Sequence, residues 1–293
     1  MKHLNITIIG LGLIGGSLGL AIRERSGKSI TVIGCDRNPD TLRIAVERGA
    51  VDMVFPEPAE AVARADIIFL CTPVLQIVPL VKSVLPYAKP DVIFTDVGST
   101  KEFLQKEIAA ILPSGMQFIG GHPMAGREQS GITAADKNLF QDHWYILIPS
   151  AAASLAAVDT VAQIIRRTGA ILTTMNESEH DRCAAVISHV PHVTAAALVN
   201  LLSSYPDEYN IRLAGGGFRD TTRIASSNAD MWADICLTNS TAIQECLVHL
   251  REILNTAMDA INRGDRQALR EFFLSAKRRR DSLINASLGP SSR

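Results

Sequence analysis

This 293-residue chain has no basic stripe, no C-x-x-C pair and no unbroken apolar run of ~20 residues, and each absence removes a class of protein. The formal net charge is −1 with neither half strongly charged, so the electrostatic footprint of a nucleic-acid binder is missing. The one basic run, Arg278-Arg279-Arg280, falls near the end of an expected helix, where it complements the helix C-terminus or stays solvated. Five cysteines (Cys35, Cys71, Cys183, Cys236 and Cys246) are odd in number and scattered, which argues against a disulfide framework and against zinc, and fits a reducing cytoplasm. No metal site and no membrane span are expected. Lys2 followed by the apolar stretch 6–22 superficially resembles a signal peptide, but that stretch holds five glycines and lacks a small-x-small cleavage site. Repeats and low-complexity tracts are missing apart from the tail 287–293.

What is present is a large apolar fraction, 47 %, in a chain long enough for about two domains. Short β-branched runs at 5–10, 30–35, 66–71, 92–97, 117–120 and 144–148 alternate with helical patterns at 14–25, 39–48, 74–87 and 101–112. Strands apolar throughout and separated by helices imply a parallel sheet covered on both faces. A helix at 152–168 and a strand at 170–175 are expected to complete that domain, over residues 1–176. After Asn176 the strand patterns stop. Ser178-Glu179-His180-Asp181 reads as a cap and acidic first turn opening a helix to about residue 203, with Pro191 inside it as a kink. A loop at Gly215-Gly216-Gly217 follows. Asn228 is then expected to cap one helix to residue 262, ~50 Å long, with Gly264 at its end and a last helix at 266–283. A helix of that length suits packing against a second subunit. The fold class expected is therefore α/β: an N-terminal Rossmann-type doubly wound sheet followed by an all-α domain over 177–293 that also dimerises.

Gly10-Leu11-Gly12-Leu13-Ile14-Gly15 matches G-x-G-x-x-G after a strand and opening a helix. Gly10 permits the tight turn, Gly12 lets a pyrophosphate approach, and Gly15 allows close helix–strand packing, while the helix start at Leu13 and Ile14 presents free N–H groups. Alone the hexapeptide is weak. Asp36, at the end of the second strand about 20 residues on, supplies the carboxylate that binds ribose hydroxyls and repels a 2′-phosphate, so NAD is expected. Its neighbour Arg37 tempers that choice, and Asp36 also reads as a turn residue. Thr72 and Pro73 follow the strand ending near Cys71, and Ser99 follows the next. All should meet the cofactor crevice, although Thr72 and Ser99 also read as helix caps.

Gly120-Gly121-His122-Pro123-Met124-Ala125-Gly126 places a histidine at a strand end between glycines and a proline. That rigid setting suits a general base, imidazole titrating near ~6.5. With these segments in view, the chain resembles the family of prephenate, arogenate and cyclohexadienyl dehydrogenases. The resemblance is carried by 10–17, 96–101, the run G-G-H-P-M-A-G-R-E-Q-S-G at 120–131, Ser188-His189-Val190-Pro191-His192, and G-G-G-F-R-D-T-T-R-I-A at 215–225. It implies oxidation of the C4 hydroxyl of prephenate by hydride transfer to NAD, loss of the ring carboxylate as carbon dioxide, and formation of 4-hydroxyphenylpyruvate. By the same resemblance His122 accepts the hydroxyl proton, and Ser99 holds hydroxyl, His122 and nicotinamide in register. Arg223 binds a substrate carboxylate, where a guanidinium fork fits well. An ion pair with Asp220 is its alternative role. His189 lies near the cofactor and His192 near the substrate side chain; a metal would need a third ligand that is not evident. Glu128 and Arg219 pair across the site entrance. Trp232 is expected in the core or an interface.

The resemblance also implies a homodimer. The dinucleotide fold begins near residue 5 and the tail after the last helix is short, so neither a chorismate mutase nor an ACT domain is expected, and L-tyrosine should act, if it inhibits, by competing at the active site. Arogenate differs from prephenate only in its side chain, and dual specificity stays open. A β-hydroxyacid dehydrogenase would place a lysine in the helix after residue 181, where 181–203 has none. A non-catalytic NAD-binding regulator need not keep Ser99, His122 and Arg223 together.

Overall fold

The apolar runs form strands β1 (Leu4–Ile9), β2 (Ile30–Cys35), β3 (Met53–Phe55), β4 (Ile67–Leu70), β5 (Ile93–Asp96), β6 (Gln117–Pro123), β7 (Trp144–Pro149) and β8 (Ile171–Thr174). In the computed structural model, which describes residues 3–127, 129–205 and 208–287, they make one sheet in the order β3-β2-β1-β4-β5-β6-β7-β8. The order reverses between β1 and β4, which is where an open α/β sheet leaves a crevice at its strand ends. Pairing is parallel from β3 through β6, but β7 runs antiparallel to β6 and is then parallel to β8. The expectation of a wholly parallel sheet is corrected there. A parallel return needs a crossover, usually a helix, and among the described residues of the connection 124–143 the one helical element is the 3-10 turn Ile132–Ala134. Arg48 pins that connection, donating to the carbonyl oxygens of Ile132 and, at 2.7 Å, Ala135.

The helices of this half are α1 (Leu13–Ser26), α2 (Pro39–Glu47), α3 (Pro58–Val62), α4 (Val74–Val84), α5 (Glu102–Ala109) and α6 (Leu155–Arg167). Alternation along the strands splits the core into two layers. Ile6, Ile8, Ile67 and Phe69 pack with Leu18, Ile22 and Val161 of α1 and α6, whereas Ile9, Ile68 and Leu70 pack with Val62, Ile77 and Leu104 of α3, α4 and α5. Burial on both faces is what makes the strands read as continuous apolar runs. Local capping is as the residue types require: Asn38 accepts from the N–H of Asp40 ahead of Pro39, and Ser154 from that of Ala157.

Beyond β8 come α7 (Glu177–Ala184), α8 (Val190–Ser204), α9 (Glu208–Arg212), α10 (Gly216–Thr222), α11 (Ala229–Thr238), α12 (Ser240–Asn262) and α13 (Arg266–Ser287). Four sequence expectations change here. The cap of α7 is Asn176, in a reciprocal box with Glu179, so His180 and Asp181 sit inside the helix rather than at its entry. The turn before Pro191 widens into a π-helical segment, Ala185–His189, with the N–H of Val190 reaching back to the carbonyl of Ala185. A proline has no N–H to continue the regular ladder, and the wide turn absorbs the mismatch. Two of the three glycines at 215–217 open α10 instead of forming a loop. The single ~50 Å helix is interrupted: Asn228 caps α11 as expected, but Asn239 leaves helical geometry (φ −121°, ψ 36°) before α12. The interruption removes helix length as an argument for a dimer.

Among the described residues, the run Glu177–Ser204 is long and apolar enough to cross a bilayer, with a mean hydropathy of 1.5, a property that counting unbroken apolar residues does not register. Its His180, Asp181 and His189 are nevertheless buried, with polar partners in the sheet loops and at Asn239 just past α11. Residues Met1–Ile243 form one compact unit and Gln244–Arg293 a second. In the second, Gly264 (φ 63°) ends α12 and Asp265 caps α13 by accepting from the N–H of Ala268. Arg278, Arg279 and Arg280 are exposed on α13.

Candidate active site

The crevice between β1 and β4 is a cleft of about 670 Å³ whose walls include Gly10, Gly12, Asp36, Arg37, Thr72 and Pro73. Gly10 adopts φ +93°, and a side chain there would meet the carbonyl of Cys71 at 2.6 Å. A Cβ on Gly15 would lie 2.0 Å from the carbonyl of Gly10, so α1 can lie against the strand only with glycine there. Gly12 faces open space, and the first turn of α1 carries no acidic residue, leaving its N–H groups free for an anion. Leu13 and Ile14 are half-buried, with side chains packed against the core and main-chain N–H groups at the helix start. Thr72 does not cap α4; its hydroxyl is buried with no hydrogen-bond partner among the described residues. These features fit a dinucleotide.

Asp36 does two jobs. One oxygen accepts from the N–H of Leu11 (2.9 Å), fastening the glycine turn, and the other from that of Asn38 (2.9 Å). Both oxygens retain lone pairs for ribose hydroxyls. Asp36→Ala should weaken NAD binding about 10–100-fold, since each charge-assisted bond contributes ~1.5–3 kcal/mol. Fluorescence titration with NAD and NADP checks this, and an NAD Kd within about threefold of the parent protein would contradict the assignment. The thiols nearby are structural. Burial first, then Asp36 and Glu57, pushes Cys35 up to about 12, and burial with Asp96 raises Cys71 as well.

Asp96, buried at the end of β5 beside β4, anchors a second polar cluster. Its carboxylate accepts from the N–H of Gly98 (2.7 Å) and of Gly121 (3.0 Å), and pairs with Lys101; both charged side chains are fully buried. Burial lowers the pKa of Lys101 while Asp96 and then Asp181 oppose that shift. Gly121 must be glycine, because a Cβ would meet the carbonyl of Asp96 at 2.6 Å. The next residue along β6 is His122. Ser99 lies half-buried in the loop between β5 and α5. It is not the cap of α5, because the carboxylate of Asp181 takes the N–H groups of Lys101 (2.8 Å) and Glu102 (2.9 Å) from across the structure.

His122 Nδ1 lies 2.8 Å from His180 Nε2, and His180 Nδ1 lies 2.7 Å from Asp181 Oδ1. Burial foremost, then His180, Lys101 and His189, holds His122 well below the usual imidazole pKa, so it stays neutral. His189, on the π turn, is buried; Asn239 donates to its Nδ1 (3.1 Å), which leaves the ring proton on Nε2, an atom with no partner among the described residues. Burial pulls its pKa to about 4 against the opposing charge of Asp181. His192 bonds the carbonyl of Ser188 (3.0 Å) and stacks on Trp232 with ring centres 3.6 Å apart. Trp232, expected in the core or an interface, thus stands beside the site histidines. Arg219 on α10 and Arg223 in the 3-10 turn Arg223–Ser226 are exposed, and that turn packs on α8, which carries His192. Glu128 lies outside the described residues. No cluster able to hold a metal occurs among the described residues.

Sequence reasoning missed His180, Asp181, Asn239 and the Asp96–Lys101 pair. The adjacent His180-Asp181 was the available signal, hidden because acidic residues near a helix start are ordinary.

A glycine-loop cleft at the ends of β1 and β4, with a half-buried histidine held neutral at the end of β6, defines an NAD-dependent dehydrogenase. Residues 18–174 match the prephenate dehydrogenase nucleotide-binding domain and residues 176–275 the prephenate dehydrogenase dimerization domain. The chain belongs to the prephenate dehydrogenase family. It is 36 % identical to the prephenate dehydrogenase of Bacillus subtilis, over 95 % of this chain and 76 % of that protein. It is 34 % identical to the cyclohexadienyl dehydrogenase of Zymomonas mobilis, over 96 % of each. The A. aeolicus prephenate dehydrogenase, solved in complex with hydroxyphenyl propionate and NAD+, superposes with a TM-score of 0.91 at 30 % identity, covering 97 % of this chain and 99 % of that one.

Proposed function

We propose that the protein converts prephenate and NAD to 4-hydroxyphenylpyruvate, carbon dioxide and NADH on the route to tyrosine. The observation that carries this reading is His122 at the end of β6, with one ring nitrogen engaged by His180 and its charge state held neutral. Bound NAD supplies the hydride acceptor. The free nitrogen of His122 takes the proton of the C4 hydroxyl as the C4–H pair departs, and the O–H electrons become the new C=O bond. Cleavage of the ring–carboxylate bond then sends its electron pair through the ring to that oxygen, which recovers the proton from His122 as the phenol forms. Aromatisation supplies the drive, so the residues mainly orient and hold the proton.

In this reading Ser99 hydrogen-bonds the hydroxyl, Arg223 binds a substrate carboxylate, His189 offers its Nε2–H to the cofactor side, and His192, backed by Trp232, meets the substrate side chain. Glu128 and Arg219 gate the entrance. Residues 1–176 bind the dinucleotide, and residues 177–293 bind substrate and form a homodimer in the cytoplasm. Exposed apolar side chains on α8, among them Val199 and Leu201, support such an interface. If L-tyrosine inhibits, it competes with substrate, sharing the product's 4-hydroxyphenyl ring. The test is absorbance at the NADH band with NAD and either prephenate or arogenate. Rapid reduction with prephenate is expected; reduction with arogenate alone would replace the substrate, and silence with both in NAD-binding protein would overturn the catalytic reading.

A further inference from the structure

Asp181 is 1 % exposed and its carboxylate already receives two main-chain N–H groups, which can only donate. An acceptor so committed obliges His180 Nδ1, 2.7 Å away, to be the protonated nitrogen. His180 Nε2 then carries the lone pair, and His122 Nδ1, 2.8 Å from it, must be the donor. The remaining nitrogen of His122, Nε2, is left without a proton. Each step follows from counting donors and acceptors along the chain Asp181–His180–His122. The two rings meet edge to face, with centres 5.0 Å apart, and His180 is 1 % exposed.

We infer that His180, held by Asp181, is a positioning residue that sets the tautomer of His122 and shares the proton His122 takes from substrate. When Nε2 of His122 accepts the hydroxyl proton, the proton on Nδ1 shifts toward His180 Nε2. The positive charge then spreads over two rings and comes to face Asp181. When the phenol oxygen reclaims its proton, the shift reverses, so no proton is gained or lost over the cycle. Other charged or titratable groups facing the pair are Lys101 from the β5–α5 loop and His189 from the π turn. Lys101 and His189 both disfavour a lasting cation on His122, so an exit for that charge toward Asp181 has a physical purpose.

The inference rests on the proposed reaction for its kinetic consequences but not for the tautomer. In the intact protein at pH 7.5, long-range ¹⁵N–¹H correlation should show His122 protonated at Nδ1 and bare at Nε2; the opposite tautomer overturns the inference whatever the substrate proves to be. In His180→Phe, kcat with prephenate should fall about 10²–10⁴-fold, the span between a lost general base and a wrongly oriented one. The KM for prephenate and the Kd for NAD should stay within about threefold. His180→Gln, whose carbonyl can accept from His122 Nδ1, should recover part of that loss. A kcat in folded His180→Phe within about threefold of the parent, or equal losses in both variants, would overturn it. Absence of prephenate turnover in the parent protein would instead fail the proposed function and leave the tautomer result standing.

Discussion

Replacing His122 with asparagine is expected to lower kcat with prephenate by about 10²–10⁴-fold, the usual contribution of a positioned general base. Asparagine can still hydrogen-bond the hydroxyl, so KM should move little and the loss should fall on kcat. The pH profile carries a further expectation. Burial and three cationic or potentially cationic neighbours hold His122 below its ordinary value, so the neutral, proton-accepting form prevails at pH 7. The acid limb of kcat/KM should therefore lie below ~6.5 and be missing from His122→Asn. Steady-state kinetics between pH 5 and 9, with NAD binding as the check on folding, measures both. A variant keeping more than about a tenth of the parent kcat would remove His122 from the chemistry.

Lys101→Met should produce the largest loss of stability. The substitution keeps much of the side-chain volume but strands the carboxylate of Asp96 at a position with no exposed surface. Breaking a buried pair from one side costs about 3–5 kcal/mol, because the remaining charge keeps the N–H groups of Gly98 and Gly121 but loses its counter-charge in a site without water. For a protein of this size that corresponds to a fall in Tm of roughly 6–20 °C. Scanning calorimetry would read it, and a Tm within about 2 °C of the parent would show that Asp96 finds another partner. Activity should fall too, since Asp96 holds the N–H groups of Gly98 and Gly121 on either side of the reacting geometry.

Most of the sheet was legible because strands buried on both faces leave long β-branched runs, as at Ile30–Cys35, where the expected and observed bounds coincide. The glycine motif was equally legible: its requirements are local, set by one turn and one close approach. What stayed hidden depended on distant partners or on very short elements. Met53–Phe55 and Pro58–Val62 are too short to show periodicity. The reversal of β7 comes from a connection without a helix, which a pattern of apolar residues does not encode. Asn239 looks like one more polar position on a helix; it breaks the helix there, and its amide serves the carbonyl of Asp181 and the ring of His189. His122 was recognisable from its glycine and proline neighbours, whereas His180 matters only because the fold brings a residue 58 positions away to 2.8 Å from it.

The carboxylate of Asp181 grips the start of α5 with both oxygens, and through one of them it also steers His180. Fastening and arming are therefore the same act. If α7 lifts from α5, the helix start loses its cap and His122 loses the partner that keeps its outer nitrogen bare. One carboxylate thus ties the tautomer of His122 to the seating of α7 on α5.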